Sequence, residues 1–60
     1  MQQQKQWGEL APGDVEINDG GRTRTVIEAK EDPRGNWVTF DTGATVAEPN
    51  DTTVTVVIDE

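Results

Sequence analysis

A chain of 60 residues with a net charge of −7 and 32% hydrophobic residues supplies one small acidic domain, and it holds no apolar run long enough to cross a bilayer. It has no Cys, His, Ser or Tyr, which excludes disulfides, thiolate zinc sites and the usual nucleophile and base pairs. Carboxylates, Lys5, Lys30 and threonines are the reactive groups left, and a domain this small rarely encloses the cleft that acid and base work needs, so the expectation is a protein without enzymatic activity and without a cofactor or metal.

The segment 1–6 is polar, with no apolar period, and reads as a flexible leader outside a single domain over 7–60. Trp7 and Leu10, ahead of Pro12-Gly13, suit a structural role plugging the open end of a small barrel. From Asp14 on, short runs of Val, Ile and Thr alternate with Gly, Pro, Asn and Asp clusters, a pattern that predicts an all-β fold, a five-stranded antiparallel meander or small barrel after a short irregular N-terminal segment. A first strand over 14–18 places Val15 and Ile17 on one face and Asp14 and Glu16 on the other. Asn18-Asp19-Gly20-Gly21 is a tight turn. The second strand, 22–30, contains adjacent Val26 and Ile27, which point to opposite faces unless a bulge re-aims one, so this strand is expected to be long and bent.

Asp32-Pro33-Arg34-Gly35 forms the next turn, with Pro33 presetting its φ and Gly35 suited to a left-handed conformation. In the third strand, 36–41, alternation sends Val38 and Phe40 inward and Trp37 and Thr39 outward. A turn at Asp41-Thr42-Gly43, a fourth strand over 44–47 and a connection at 48–51 lead to a fifth strand, 53–58, with Val54, Val56 and Ile58 on one face. Val57 and Ile27 are left as apolar positions without evident cover.

The succession Leu10-Ala11-Pro12-Gly13-Asp14-Val15, Gly20-Gly21-Arg22, a β run with Val26, Gly35-Asn36-Trp37-Val38-Thr39-Phe40 and a final valine strand resembles small SH3-like barrels, including those with a KOW element. The resemblance spans about residues 7 to 58 and implies an SH3-like barrel. The KOW pattern runs its glycine-rich loop into a basic strand that meets RNA; here Arg22 and Arg24 are matched by Glu28, Glu31 and Asp32. The overall style, a tiny acidic chain rich in Val, Thr, Gly and Asp, is similar to short uncharacterised reading frames of actinobacterial phages and to proteins of salt-adapted archaea. The phage resemblance implies a viral accessory protein at work in the host cytoplasm.

Asp41, Glu48, Asp51, Asp59 and Glu60 fall in the last twenty residues, which contain no Lys or Arg. Such a surface repels phosphate, so neither nucleic acid nor an anionic membrane is an expected partner. Its plain use is solubility; its functional use is mimicry of nucleic acid, with Glu48, Asp51, Asp59 and Glu60 occupying a basic groove on a host protein. The acidic sets Asp14, Glu16 and Asp19, and Asp41 with Asp51, lack the oxygen spacing of a calcium loop. Arg22 and Arg24 share a strand face, with Arg34 in the neighbouring hairpin; they make either a small anion site or cross-strand pairs with Glu16, Asp14 or Glu28. Trp37 is the leading contact residue, an outward indole beside Thr39 and near those arginines, with cover of the sheet edge as its structural alternative. The expected function is therefore binding of another protein through Trp37, Thr39, Arg22, Arg24 and Arg34, with homo-oligomerisation through a strand edge as a further possibility. The two other readings are the acidic mimic and a virion structural or decoration protein.

Overall fold

The computed structural model describes residues 1–58 and contains six β-strands: β1 (Gln2–Gln6), β2 (Val15–Ile17), β3 (Thr23–Lys30), β4 (Trp37–Phe40), β5 (Thr45–Ala47) and β6 (Thr53–Val57). A single 3₁₀ turn, Trp7–Glu9, joins β1 to the segment before β2. All pairings are antiparallel and the strand order is β1-β6-β2-β3-β4-β5, an open sheet with β1 and β5 at its edges.

From β2 to β6 the strands lie where alternation and turn residues place them. Asn18 shapes the β2–β3 turn by accepting the Gly20 and Arg22 amides on Oδ1, and Gly21 takes φ +78°. Gly43 closes the β4–β5 hairpin at φ +89°, donating to the Phe40 carbonyl at 2.9 Å. In β3 the register against β4 shifts between Val26 and Glu28, so the bulge bends the strand. Val26 is buried and Ile27, the extra residue, is turned outward.

Three expectations are corrected. The polar segment 1–6 is not a leader: Gln2–Gln6 is β1, in register with β6 from Gln2↔Val57 to Gln6↔Thr53, so the sheet has six strands rather than five. Backbone ladder bonds, which need no apolar side chain, hold it there, and its C-terminal end is pinned where the Trp7 amide donates to the Thr52 carbonyl at 2.7 Å. Gly35 is not left-handed. It is there for space, since a Cβ would lie 2.3 Å from the Glu48 carbonyl oxygen.

The third correction concerns β2. Glu16, expected on the wet face, is buried, while Val15 and Ile17 are only half-buried on the other side. The phase follows from register: Glu16 stands opposite Val56 of β6 and Arg24 of β3, and Val56 belongs to the core, so Glu16 faces inward with it. Val15 and Ile17 instead share the outer face with Val57, Thr25, Thr55 and Thr23.

The core consists of Trp7, Leu10, Val26, Val38, Phe40 and Val56, with Ala29, Val46 and Val54 packed against it. Trp7 lies with its ring centroid 6.2 Å from that of Phe40. Its indole N–H donates to the Asn36 carbonyl at 2.8 Å, so its polar atom is satisfied where it is buried. Trp7 and Leu10 are thus structural residues, built into the core of an open sheet. No buried side-chain nitrogen or oxygen among the described residues is left without a partner.

Candidate protein-binding face

Trp37 opens β4, and because Val38 and Phe40 are fully buried, alternation turns its indole outward, where it remains 49% exposed. Across the ladders its partners are Lys30 on β3 and Ala47 on β5. Ala47 is too small to cover an indole, and half of the ring stays exposed. Trp37 and Ala47 there join Asp32, Arg34, Gly35, Glu48 and Pro49 around a shallow cleft. The cleft exists because the 32–35 turn presses against the chain at Glu48, a contact only the missing side chain of Gly35 permits. Pro33 and the Asp32 carboxylate shape that turn: Asp32 Oδ1 accepts the Arg34 amide at 2.9 Å, and Gly35 donates to the Asp32 carbonyl at 3.1 Å.

The residues proposed from sequence for one face divide between two places. Arg34 lines the Trp37 cleft with its guanidinium in water, 3.8 Å from Asp32. Thr39 shares the Trp37 face, its hydroxyl 3.1 Å from that of Thr45. Arg24 lies elsewhere, six residues along β3 from Lys30, the partner of Trp37. Its Nε donates to Glu16 Oε1 at 2.6 Å, and its guanidinium carbon sits 3.8 Å above the centre of the Phe40 ring. An arginine held by a buried carboxylate and a core aromatic is packed into the structure, on the opposite face of the sheet from Trp37. Arg22, exposed, lies in the β2–β3 turn next to this pair's strand rather than beside Trp37.

Of the acidic residues, Glu48 borders the Trp37 cleft and Asp51 is exposed in the β5–β6 connection; Asp59 and Glu60 lie outside the described residues. Asp14 pairs with Lys5 at 3.3 Å and accepts the Ala11 amide, and Asp41 accepts the Thr25 amide at 3.1 Å. Among the described residues no three carboxylates come together as metal ligands.

A second, wider depression is polar, bordered by Glu9, Glu31, Asp32, Asn36 and Asn50. Its floor is a hydrogen-bond knot: Asn50 Oδ1 accepts the Asn36 amide at 2.7 Å, Asn50 Nδ2 donates to the Asp32 carbonyl, and Asn36 Oδ1 accepts the Asp32 amide. Asn36 Nδ2 also donates to the Gly8 carbonyl at 3.4 Å, so the two asparagines lock three segments of chain together, which makes this depression a structural seam.

Lys30, Ala47 and Pro49 join the Trp37 face without having been singled out in the sequence. The signal was there in the hairpin: a turn at 41–43 ending in a left-handed glycine sets Trp37 opposite Ala47 by even register, whereas its pairing with Lys30 depends on where the β3 bulge falls. No family model, no curated protein and no solved structure matches this chain.

Proposed function

We propose that this protein is a non-enzymatic protein-binding module whose contact face is centred on Trp37, with Thr39, Arg34 and Lys30 around it. The observation that carries the reading is the half-exposed indole on the outer face of β4, opposite the small Ala47 of β5 and bordered by Asp32, Arg34 and Glu48. A rigid aromatic side chain next to an adaptable polar rim is the composition that interface hot spots favour. Arg22 and Arg24 drop out of this face, since Arg24 is engaged with Glu16 and Phe40.

An SH3-like barrel is the architecture we infer for the module. Its support is the meander β2-β3-β4-β5 joined at its first strand by the last strand β6, and the bulge at Val26 that bends β3 so that both halves of the sheet contribute to one core. In the phage setting that the chain resembles, the partner is a host protein in the host cytoplasm and the effect is occlusion or scaffolding.

Affinity capture from a bacterial lysate at low and at high salt, with the protein and its Trp37→Ala variant, tests this. A partner retained at both salts and lost with Trp37→Ala is expected; a partner indifferent to Trp37→Ala overturns the proposal. Release by salt alone would favour the acidic mimic, because exposed charges are screened beyond about 10 Å at 0.1 M salt.

A further inference from the structure

The geometry points to strand addition at the β5 edge: an extended, positively charged segment of a partner protein pairs antiparallel with Thr45–Ala47 and sets a side chain against Trp37. This rests on the protein-binding reading of Trp37 and specifies how the partner is held.

The argument begins with the ladder. In the β4–β5 hairpin the Phe40 amide donates to the Ala44 carbonyl at 2.9 Å, and the register continues as Thr39↔Thr45, Val38↔Val46 and Trp37↔Ala47. Antiparallel pairs alternate between hydrogen-bonded and non-bonded, so Val38 and Val46 exchange the next bonds. Thr45 and Ala47 therefore turn their amides and carbonyls away from β4, toward the open edge. The close approach of the Thr39 and Thr45 hydroxyls, 3.1 Å, fits a non-bonded pair, whose side chains stand nearer together.

Exposed strand edges in soluble proteins are commonly guarded by lysine, proline or a bulge. No Lys or Arg occurs from Asp41 to the end of the chain, and β5 itself is Thr-Val-Ala in even register with β4. The chain on either side is acidic, with Asp41 before β5 and Glu48 and Asp51 after it. An approaching strand thus meets unsatisfied backbone groups on a stretch, 41–51, that carries three carboxylates and no cation, with Lys30 and Arg34 confined to the surroundings of Trp37, and this edge favours a cationic segment.

The side-chain phase completes the match. Thr45 and Ala47 turn their free backbone groups to the open edge and their side chains to the face that carries Trp37. A residue set opposite Ala47 exchanges both backbone bonds and lies on that same face, about 10 Å from β4, where only the alanine methyl separates it from the indole. The opposite edge lacks this combination. In β1 the register likewise turns the Gln2 and Gln4 backbone outward, yet its side chains are glutamines and no exposed aromatic stands beside them.

The test uses the peptide Arg-Val-Lys-Val-Arg-Val-Lys with the full-length protein. Amide exchange followed by NMR is expected to slow at least about tenfold at Thr45 and Ala47 on saturation, since both amides pass from solvent into a ladder. N-methylation of the valines, the residues set opposite Ala47, is expected to abolish binding, whereas N-methylation of the basic residues leaves it within about threefold. These peptide changes leave the protein untouched, so folding does not enter the comparison. Binding that survives valine N-methylation, or exchange at Thr45 and Ala47 that stays unchanged, overturns strand addition. A peptide with Glu in place of Arg and Lys that binds as well overturns the cationic partner. Peptide-induced shifts at Trp37 without protection at Thr45 and Ala47 sink strand addition while the Trp37 face stands. Protection that persists at full affinity in Trp37→Ala supports the edge and removes Trp37 from it.

Discussion

The surroundings of Trp7 and of Trp37 use one side chain to opposite ends. Trp7 sits in a 3₁₀ turn, 1% exposed, with its ring on Phe40 and its N–H on the Asn36 carbonyl, while the knot of Asn36 and Asn50 holds the loops around it. Trp37 begins a strand one residue after Asn36 and points the other way, 49% exposed. The arginines repeat the contrast. Arg24 is held by Glu16 and stacked over Phe40 on the inner side, whereas Arg34 stands in water by the Trp37 cleft. Which face of the sheet a residue occupies, more than its type, decides whether it builds the fold or remains available to a partner.

The largest effect belongs to the inner side. Trp7→Ala removes a fully buried indole and leaves the Asn36 carbonyl without its donor, a loss of about 3 to 5 kcal/mol. For a domain this small that approaches total stability, so urea titration should find the variant largely unfolded in buffer. A variant with a near-native midpoint would mean that Trp7 is not a core residue.

Next in size is the inward ion pair. Glu16→Ala leaves Arg24 over Phe40 without its carboxylate and should cost about 2 kcal/mol, less than for a fully buried pair because the arginine keeps some water. The double variant Glu16→Leu, Arg24→Leu should recover most of that loss, since apolar groups then fill the same inner positions. If Glu16→Ala proves neutral by thermal denaturation, Glu16 does not face the core.

Gly35→Ala comes third. Its new methyl would press on the Glu48 carbonyl, so the 32–35 turn and the chain at Glu48 must part, at a cost of about 1 to 3 kcal/mol. The same movement opens the Trp37 cleft, and Trp37 fluorescence should shift in this folded variant.

The smallest stability effect separates the outer side from the inner most sharply. Trp37→Ala should change stability by no more than about 1 kcal/mol, because only half of the ring leaves a protein environment, yet it should weaken partner binding by about 2 kcal/mol or more. A large fall in melting temperature would instead make Trp37 a cover for the sheet edge.

A further contrast checks β1. The Met1 carbonyl accepts the Ile58 amide and the Trp7 amide donates to Thr52, so the register turns the Gln3 amide toward β6 and the Gln4 amide toward solvent. Gln3→Pro should therefore destabilise by about 1 kcal/mol more than Gln4→Pro, the difference of one ladder bond. Equal effects would mean that β1 does not pair in this register.

Much of this was legible in the chain. Turn chemistry at Asn18-Asp19-Gly20-Gly21 and Asp41-Thr42-Gly43, with alternation in Trp37-Val38-Thr39-Phe40 and Thr53-Val54-Thr55-Val56, is local, and local rules located β2 to β6 and the outward side of Trp37. The adjacent Val26 and Ile27 announced a bulge, because two apolar neighbours cannot both face a core in regular pleat. The candidate face was legible only in part: Trp37, Thr39 and Arg34 meet there, and Arg22 and Arg24 do not, since an arginine's neighbours lie across strands whose register no local pattern states.

The sequence by itself determined the all-β class, the position of five strands and the identity of the exposed tryptophan, all of which follow from the period of two and from glycine, proline and asparagine at turns. Tertiary structure alone decided that Gln2–Gln6 is a strand, that Glu16 faces inward, and that Gly35 serves close approach. Each of those depends on a partner distant in sequence: the unpaired edge of β6, the inward phase of Val56, and the carbonyl of Glu48. A polar edge strand has no side-chain period to reveal it, and three alternating residues in β2 fit either face equally until a neighbouring strand fixes the phase.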